Sequence, residues 1–430
     1  FCGTPIRIID ARFLVALAEN GGRLVRRQDL PERAFLALET LKAMDAGSGG
    51  SLRLVCVSLP WLQPDHPDPH GTTLRLLGAV LKLYLREVSK HFSGATYGVF
   101  LDYMSLPQKD LNGECRTPAE ASLFERGVSH VSDWFSHPKT LVFRASRLPE
   151  AYPAGFTFPP GSAPNTAQYA ERGWCYAESQ MALLVKPSEF VLDLGQLSSD
   201  VREVDPHAVV AACQARDRSV PLLPEAFEDV LRGKSFTNKL DDEPLLCGLY
   251  RIAFEQRLQE ARSLAYSSIV WGGAEVLQLC HLISAGSLPN LELLDLSENF
   301  LSDSGVSALA SAIATREVPN LKELNLFGNS VGDAGCIALA DVVAKGSLPQ
   351  LEYLSLNSNQ IGDEGVAALA PAIATGAMPK LLALNLASNQ IGDDGVQSFV
   401  SAIRDGSLPL CTAIGLAENP GDDAPLSTIR

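Results

Sequence analysis

Four lines of sequence stack at a spacing of thirty residues: "LELLDLSENFLSDSGVSALASAI" (291–313), "LKELNLFGNSVGDAGCIALADVV" (321–343), "LEYLSLNSNQIGDEGVAALAPAI" (351–373) and "LLALNLASNQIGDDGVQSFVSAI" (381–403). A worn fifth copy begins at Cys411, and "WGGAEVLQLCHLISAGSLPN" (271–290) supplies the helix of an earlier one. A fixed period in this range marks a solenoid, in which each unit buries its apolar face against the next. L-x-x-L-x-L reads as a short strand with its leucines pointing inward. Asn299, Asn329, Asn359, Asn389 and Asn419 follow, placed to bond neighbouring backbone where the strand bends away. Asp303, Asp333, Asp363 and Asp393 then open an Ala-rich helix, where a side-chain oxygen can cap unpaired N–H groups.

This pattern resembles leucine-rich repeats of the ribonuclease-inhibitor subclass, over residues 266–430. The resemblance implies a curved surface that takes a protein partner. The strand positions facing its concave side include Glu292, Asp295, Lys322, Glu323, Asn325, Glu352, Tyr353, Ser355 and Asn385. They are mixed and mildly acidic, so plain solvation also accounts for them.

The totals set limits on the whole chain. Its 430 residues suffice for two or three domains, and 46% hydrophobic with 20% charged residues is a soluble composition. A net charge of -15 argues against nucleic acid as the main partner, because phosphates need Lys and Arg to neutralise them. No apolar run is long enough for a membrane span. Nine Cys stand singly, without a C-x-x-C pair, which reads as buried thiols in the cytoplasm. No metal site is expected. "DHPDPH" (65–70) offers two His and two Asp, but its two prolines, with Pro64 before them, fit a rigid loop better. "RGKS" (232–235) lacks the upstream Gly of a phosphate loop and sits in a helical context.

The first half alternates. Residues 1–48 read as helices, over "ARFLVALAEN" (11–20) and "LPERAFLALETLKAM" (30–44). Strands follow at "LRLVCVSLPWL" (52–62), "YGVFLDYMSLPQ" (97–108), "KTLVFRAS" (139–146) and "EFVLDL" (189–194). Between them lie the helices "TTLRLLGAVLKLYLREVSKHF" (72–92), "PAEASLFERGVSHVSDWF" (118–135) and "ERGWCYAESQMALL" (171–184). Such alternation predicts a parallel sheet covered on both faces, with function at the carboxyl ends of its strands. Residues 199–265 have helical periodicity and read as a connector.

A strand ending in Ser, then "GVFLDYMSLPQ", then an apolar strand, then "GWCYAE" resembles the Toll/interleukin-1 receptor (TIR) superfamily and its fungal heterokaryon-incompatibility relatives. Trp174 and Glu178 have the spacing of that family's W-C-x-x-E helix. Asp102 and Gln108 match an Asp and a Gln after the second strand of the fungal members. The resemblance implies that Glu178 cleaves the nicotinamide–ribose bond of NAD, a substrate and not a resident cofactor. Ser58 and Trp61 would line the pocket with Asp102, Gln108 and Trp174. The loop Ser105–Asp110 would help close the site and build self-assemblies, and the Pro-rich stretch 148–166 could act as a lid.

Two other readings stand beside this one. Glu178 can be a surface acid next to a buried Trp–Cys pair on a non-catalytic scaffold. Alternatively, Asp102 and Glu178 can form a carboxylate pair in a different nucleotide-processing enzyme. The expectation is therefore an α/β chain: an N-terminal helical segment (1–48), a flavodoxin-like TIR-type domain (49–198), a helical connector (199–265) and an α/β leucine-rich-repeat solenoid (266–430). It would act in signalling or defence, with the repeats binding a partner or gating assembly.

Overall fold

A computed structural model describes residues 6–37, 39–41, 53–63, 66–91, 95–109, 116–148, 167–197, 205–214, 218–315, 317–403, 411 and 413–421. The chain divides into two compact units, Phe1–Ala215 with Pro224–Phe254, and Arg216–Leu223 with Glu255–Arg430.

The first unit runs β1 (Ile9–Asp10), α1 (Ala11–Glu19), β2 (Leu54–Ser58), α2 (Thr72–His91), β3 (Gly98–Phe100), a single turn α3 (Asp102–Ser105), α4 (Pro118–Val128), α5 (Val131–Ser136), β4 (Leu141–Arg144), α6 (Gly173–Ala182), β5 (Val191–Asp193), α7 (Pro206–Cys213) and α8 (Pro224–Arg232). The two units part within α9 (Lys239–Glu260). The sheet order is β1-β3-β2-β4-β5, with β3, β2, β4 and β5 parallel. This is a mixed α/β unit whose central strand is β2.

Successive β2 residues point to opposite faces. Val55 and Val57 join a core with Leu74, Leu77 and Leu81 of α2 and Leu14 of α1. The helices α1 and α2 touch closely, because a Cβ on Gly78 would lie 2.5 Å from the Ala18 methyl. On the other face the Cys56 thiol donates to the Trp134 carbonyl of α5, and Ser58 meets α6. The alternation thus brings the last residue of the central strand to the helix that carries the W-C-x-x-E motif.

The N-terminal segment keeps the first expected helix as α1 (Ala11–Glu19) but departs from its helical reading around it. Ile9 and Asp10 pair antiparallel with Val99 and Gly98, adding an edge strand to the sheet. Over the expected helix 30–44, the structure has a 3-10 turn at Glu32–Ala34, and Phe35 then bridges Ile9. Backbone bonds to the edge strand, such as Leu36 N–H to the Ile8 carbonyl at 2.9 Å, outweigh the local amphipathic pattern. Residues 38 and 42–44 lie outside the described residues.

The second unit stacks β6 (Ser263–Ala265), β7 (Leu293–Asp295), β8 (Glu323–Asn325), β9 (Tyr353–Ser355), β10 (Ala383–Asn385) and β11 (Ala413–Gly415) in one parallel sheet. Between them run α10 (Gly273–Ser284), α11 (Asp303–Ile313), α12 (Asp333–Ala344), α13 (Asp363–Ala374) and α14 (Asp393–Ile403). Each strand pairs with the next in a thirty-residue register, as Leu294, Leu324, Leu354 and Leu384 show.

Buried asparagines stitch one repeat to the next. Asn359 Nδ2 donates to the Leu326 carbonyl of the previous repeat at 3.0 Å, and to Leu356 of its own at 3.0 Å. Its Oδ1 accepts from Val331 N–H at 3.0 Å. Asn329 and Asn389 repeat the arrangement. The aspartates were expected to cap their own helices; Asp303, Asp333 and Asp363 instead reach the next one. Asp303 Oδ1 accepts from Gly332 and Gly335 N–H at 2.6 and 2.9 Å, which begin the following helix. Asp333 and Asp363 do the same one and two repeats on. The glycines are needed for space: a Cβ on Gly335 would lie 2.8 Å from the Asp303 carboxylate.

Replacing Asn359 with Ala should orphan the buried Val331 N–H and the carbonyls it serves, at a cost of about 2–3 kcal/mol. The midpoint of chemical denaturation of the repeats checks this.

Candidate functional site

The carboxyl end of the first unit's sheet opens on a cavity of about 750 Å³. Glu178 and Asp102 both line it, with Trp61, Tyr103, Gln108, Trp174 and Phe236 among its walls. Trp174 and Glu178 are four residues apart on α6, so one helix face presents both.

Each side chain is held by a neighbour. Ser58 Oγ donates to Glu178 Oε2 at 2.5 Å, and the Tyr169 hydroxyl donates to Ser58 Oγ at 2.6 Å. Ser58 is fully buried, so it stands behind the carboxyl group and does not line the cavity. Trp61 Nε1 donates to Asp102 Oδ2 at 2.9 Å, and the Tyr103 N–H to Asp102 Oδ1 at 2.6 Å. Gln108 Nε2 reaches back to the Asp102 and Leu106 carbonyls, each at 3.1 Å. Its backbone pairs with the Gln28 side chain in both directions. Ser105 to Gln108 are buried, and Asp110 lies outside the described residues.

The wall at the start of α6 is stapled by a distant segment. Gly173 N–H donates to the Ser235 carbonyl at 2.9 Å, and Ser235 N–H to that of Glu171 at 2.8 Å. Phe236 then lies against Gly173, where a Cβ would come within 2.0 Å of its ring. Asp242 accepts a hydrogen bond from the Trp174 side chain. Buried Arg172 donates to the Trp61 carbonyl at 2.5 Å, fixing the loop after β2. Tyr169, Arg172, Phe236 and Asp242 carry no motif, and sequence reasoning missed them. The stretch 149–166, read as a lid, lies outside the described residues.

Electrostatics mark the two acids. Burial pushes Asp102 up to about 6, against the pull of its bonds from Tyr103 and Trp61. Burial raises Glu178 well above the ordinary carboxyl range, Asp102's charge raises it further, and the Ser58 bond lowers it. Burial and the Glu178 charge also raise the Cys175 thiol, which disfavours its thiolate form. Two neighbouring carboxyl groups in one desolvated cavity suit a cation, or a group that becomes cationic during reaction.

In the second unit the expected partner-facing residues form a stripe. Leu293, Glu323, Tyr353 and Ala383 are in register, as are Asp295, Asn325, Ser355 and Asn385. Many of their polar groups are already engaged. Glu292 is bound by Lys322 at 2.8 Å and by Arg262 at 2.6 Å. Asp295, Asn325 and Asn385 accept the backbone N–H two residues on, and Ser355 donates to Asn357. Tyr353 stays exposed.

The family described as "Leucine Rich repeat" matches residues 287–310, 319–340, 348–370 and 377–400. The C-terminal region is built of leucine-rich repeats. Among solved structures, the chain is similar to the leucine-rich-repeat ectodomain of the receptor kinase SOBIR1 from Arabidopsis thaliana, at 17% identity over 37% of this chain and 72% of that one, with a TM-score of 0.21. It is similar to an internalin from Listeria monocytogenes, at 20% identity over 39% of this chain and 51% of the other, with a TM-score of 0.22. For a TDR receptor the figures are 17%, 34% and 30%, with a TM-score of 0.20. The chain thus spans about half of the internalin and under a third of the TDR receptor chain. No curated protein matches. Among the described residues no helix is long and apolar enough to cross a membrane.

The raised acids make stability depend on pH. A carboxyl group whose pKa is higher folded than unfolded leaves the folded state with more protons, so stability falls as pH rises through that window. For Asp102, raised from 3.8 to about 6, the loss amounts to about 3 kcal/mol between roughly pH 4 and pH 7. Asp102→Asn should remove the Asp102 share of that slope, leave the share that burial gives Glu178, and let Glu178 ionise at lower pH. Denaturation midpoints of both proteins across this range test it.

Proposed function

We propose that the first unit is a TIR-like nucleotide hydrolase that cleaves the nicotinamide–ribose bond of NAD, and that the leucine-rich repeats bind a protein partner that governs it. The observation carrying this reading is the lining of one cavity by Glu178 and Asp102, between aromatic walls at the carboxyl end of a parallel sheet. A scaffold would have no need of a desolvated acid pair, which costs stability at neutral pH.

The chemistry follows from the residues. The Glu178 carboxylate would lie by the ribose while the bond from C1′ to the pyridinium nitrogen breaks. The electron pair leaves with nicotinamide, and the anion stabilises the oxocarbenium-like sugar that remains. Water then adds to C1′ and its proton passes to a carboxylate of the pair. Tyr169 and Ser58 hold Glu178 in place through their hydrogen-bond chain. Trp61 and Trp174 offer flat faces to a base. The pyridinium charge favours the ionised acid, so substrate binding expels a proton.

The repeats contribute a surface. Tyr353 and Phe300 are large exposed hydrophobic residues of this region, at 45% and 65% exposure, and Val270, Leu277 and Ile337 are exposed there too. They favour a protein partner over plain solvation. Self-association through the TIR-like unit belongs to the same proposal. A second reading, turnover of a different nucleotide, draws on the same Asp102–Glu178 pair.

Nicotinamide release from NAD by the full chain tests the proposal, free and artificially clustered. Glu178→Gln should lower the rate at least about a hundredfold, within the range for loss of a transition-state charge. Release equal in both proteins, or none in either state, contradicts it; turnover of another nucleotide alone supports the second reading. NAD affinity should also rise with pH from the acid side, as the pair gives up its proton. A flat profile contradicts the role of the acids.

A further inference from the structure

The cavity that holds the two acids also has cations in its wall. Lys109, Arg116 and Phe124 line it together with Asp102 and Glu178. The Arg116 guanidinium is held from two sides. Its Nε donates to the Pro107 carbonyl at 2.7 Å, and its central carbon lies 3.5 Å from the centre of the Phe124 ring. Pro107 is braced in turn, because its neighbour Gln108 exchanges two bonds with the Gln28 side chain.

The rest of the guanidinium is unused. Nη1 and Nη2 of Arg116 have no hydrogen-bond partner among the described residues, and both are open to solvent. Glu120, the acid that acts on Arg116, gives its carboxylate to the Thr117 N–H and hydroxyl at 2.9 and 2.8 Å. Lys109 is exposed beside the same loop, and no described residue pairs with its ammonium. Neither cation acts on Asp102 or Glu178, whose acidity is set by burial, by the Asp102 charge and by neutral donors. The cavity therefore keeps its acids and its cations apart. Burial pulls Arg116 down from its ordinary value, and a bound anion would relieve that cost. A guanidinium fixed in place with two free donors matches the oxygens of a phosphate.

We propose that Arg116, with Lys109 beside it, forms a subsite for the phosphate on the 5′ side of the ribose, so that the cavity takes a nucleotide in preference to its nucleoside. This rests on the nucleotide reading of the cavity. A nucleoside with a cationic ring would satisfy the acids alone. A nucleotide with the same ring would satisfy both ends.

The test uses the full chain with nicotinamide mononucleotide and nicotinamide riboside, which share the cationic ring and differ by one phosphate. Affinities are measured by ligand-observed NMR in the cold, for wild type, Arg116→Gln and Lys109→Gln. Wild type should prefer the mononucleotide by about ten- to a hundredfold. Arg116→Gln should lose most of that preference, and Lys109→Gln about threefold of it, each by weakening the mononucleotide alone. Equal affinities in wild type, a preference kept in full by either variant, or a variant that weakens both ligands alike overturns the phosphate subsite while the nucleotide reading stands. Failure of both ligands and of NAD to bind wild type overturns the nucleotide reading and the inference with it. If Arg116→Gln melts lower, because Pro107 and Phe124 lose their brace, Lys109→Gln decides alone, since its side chain supports nothing in the fold.

Discussion

The hydrogen bond from Ser58 to Glu178 ties the end of the central strand to the helix opposite it. Most of the first unit follows from keeping that contact. The strand must alternate so that Val55 and Val57 enter the core while Cys56 and Ser58 face α5 and α6. The helix α6 must present Glu178 inward, which brings Trp174 to the same cavity. Tyr169 must stand behind Ser58 and supply its proton to the serine oxygen. A carboxyl group so placed has lost its water, and Asp102 across the cavity adds a like charge. The arrangement makes sense if something positive enters. Without such a ligand it would only destabilise the fold.

A different economy governs the repeats. Each polar side chain there serves the copy beside it. The asparagine amide spans two strand ends, and the aspartate carboxylate reaches forward to the N–H groups of the next helix. No repeat is complete alone, which is why the array holds together as a stack. The same logic limits what its surface offers to others. Glu292 and Lys322 hold each other, and Asp295 and Asn385 brace local backbone. Tyr353 stays exposed among these engaged groups.

The repeats were legible because their signal is periodic and every role recurs. The direction of the aspartates was not, since an Asp that opens a helix also fits as that helix's own cap. Only the contact to a residue 29 or 32 positions away distinguishes the two. The strands of the first unit could be read from apolar runs, and Glu178 and Asp102 from the order of short motifs. The N-terminal edge strand could not, because its pairing with Val99 is remote and its neighbouring pattern favours a helix. Tyr169 and Phe236 escaped for a related reason. Each comes from a separate loop or turn, and nothing local shows that they converge.

The central claim is that Glu178 is a neutral acid in the free protein and an anion beside a cationic nucleotide. Infrared difference spectra of wild type against Glu178→Gln, at neutral pH, measure this directly. The account predicts a protonated carboxyl stretch that vanishes in the variant and gives way to a carboxylate band when NAD is added. A Glu178 carboxylate band in the free protein, unchanged by NAD, would contradict it.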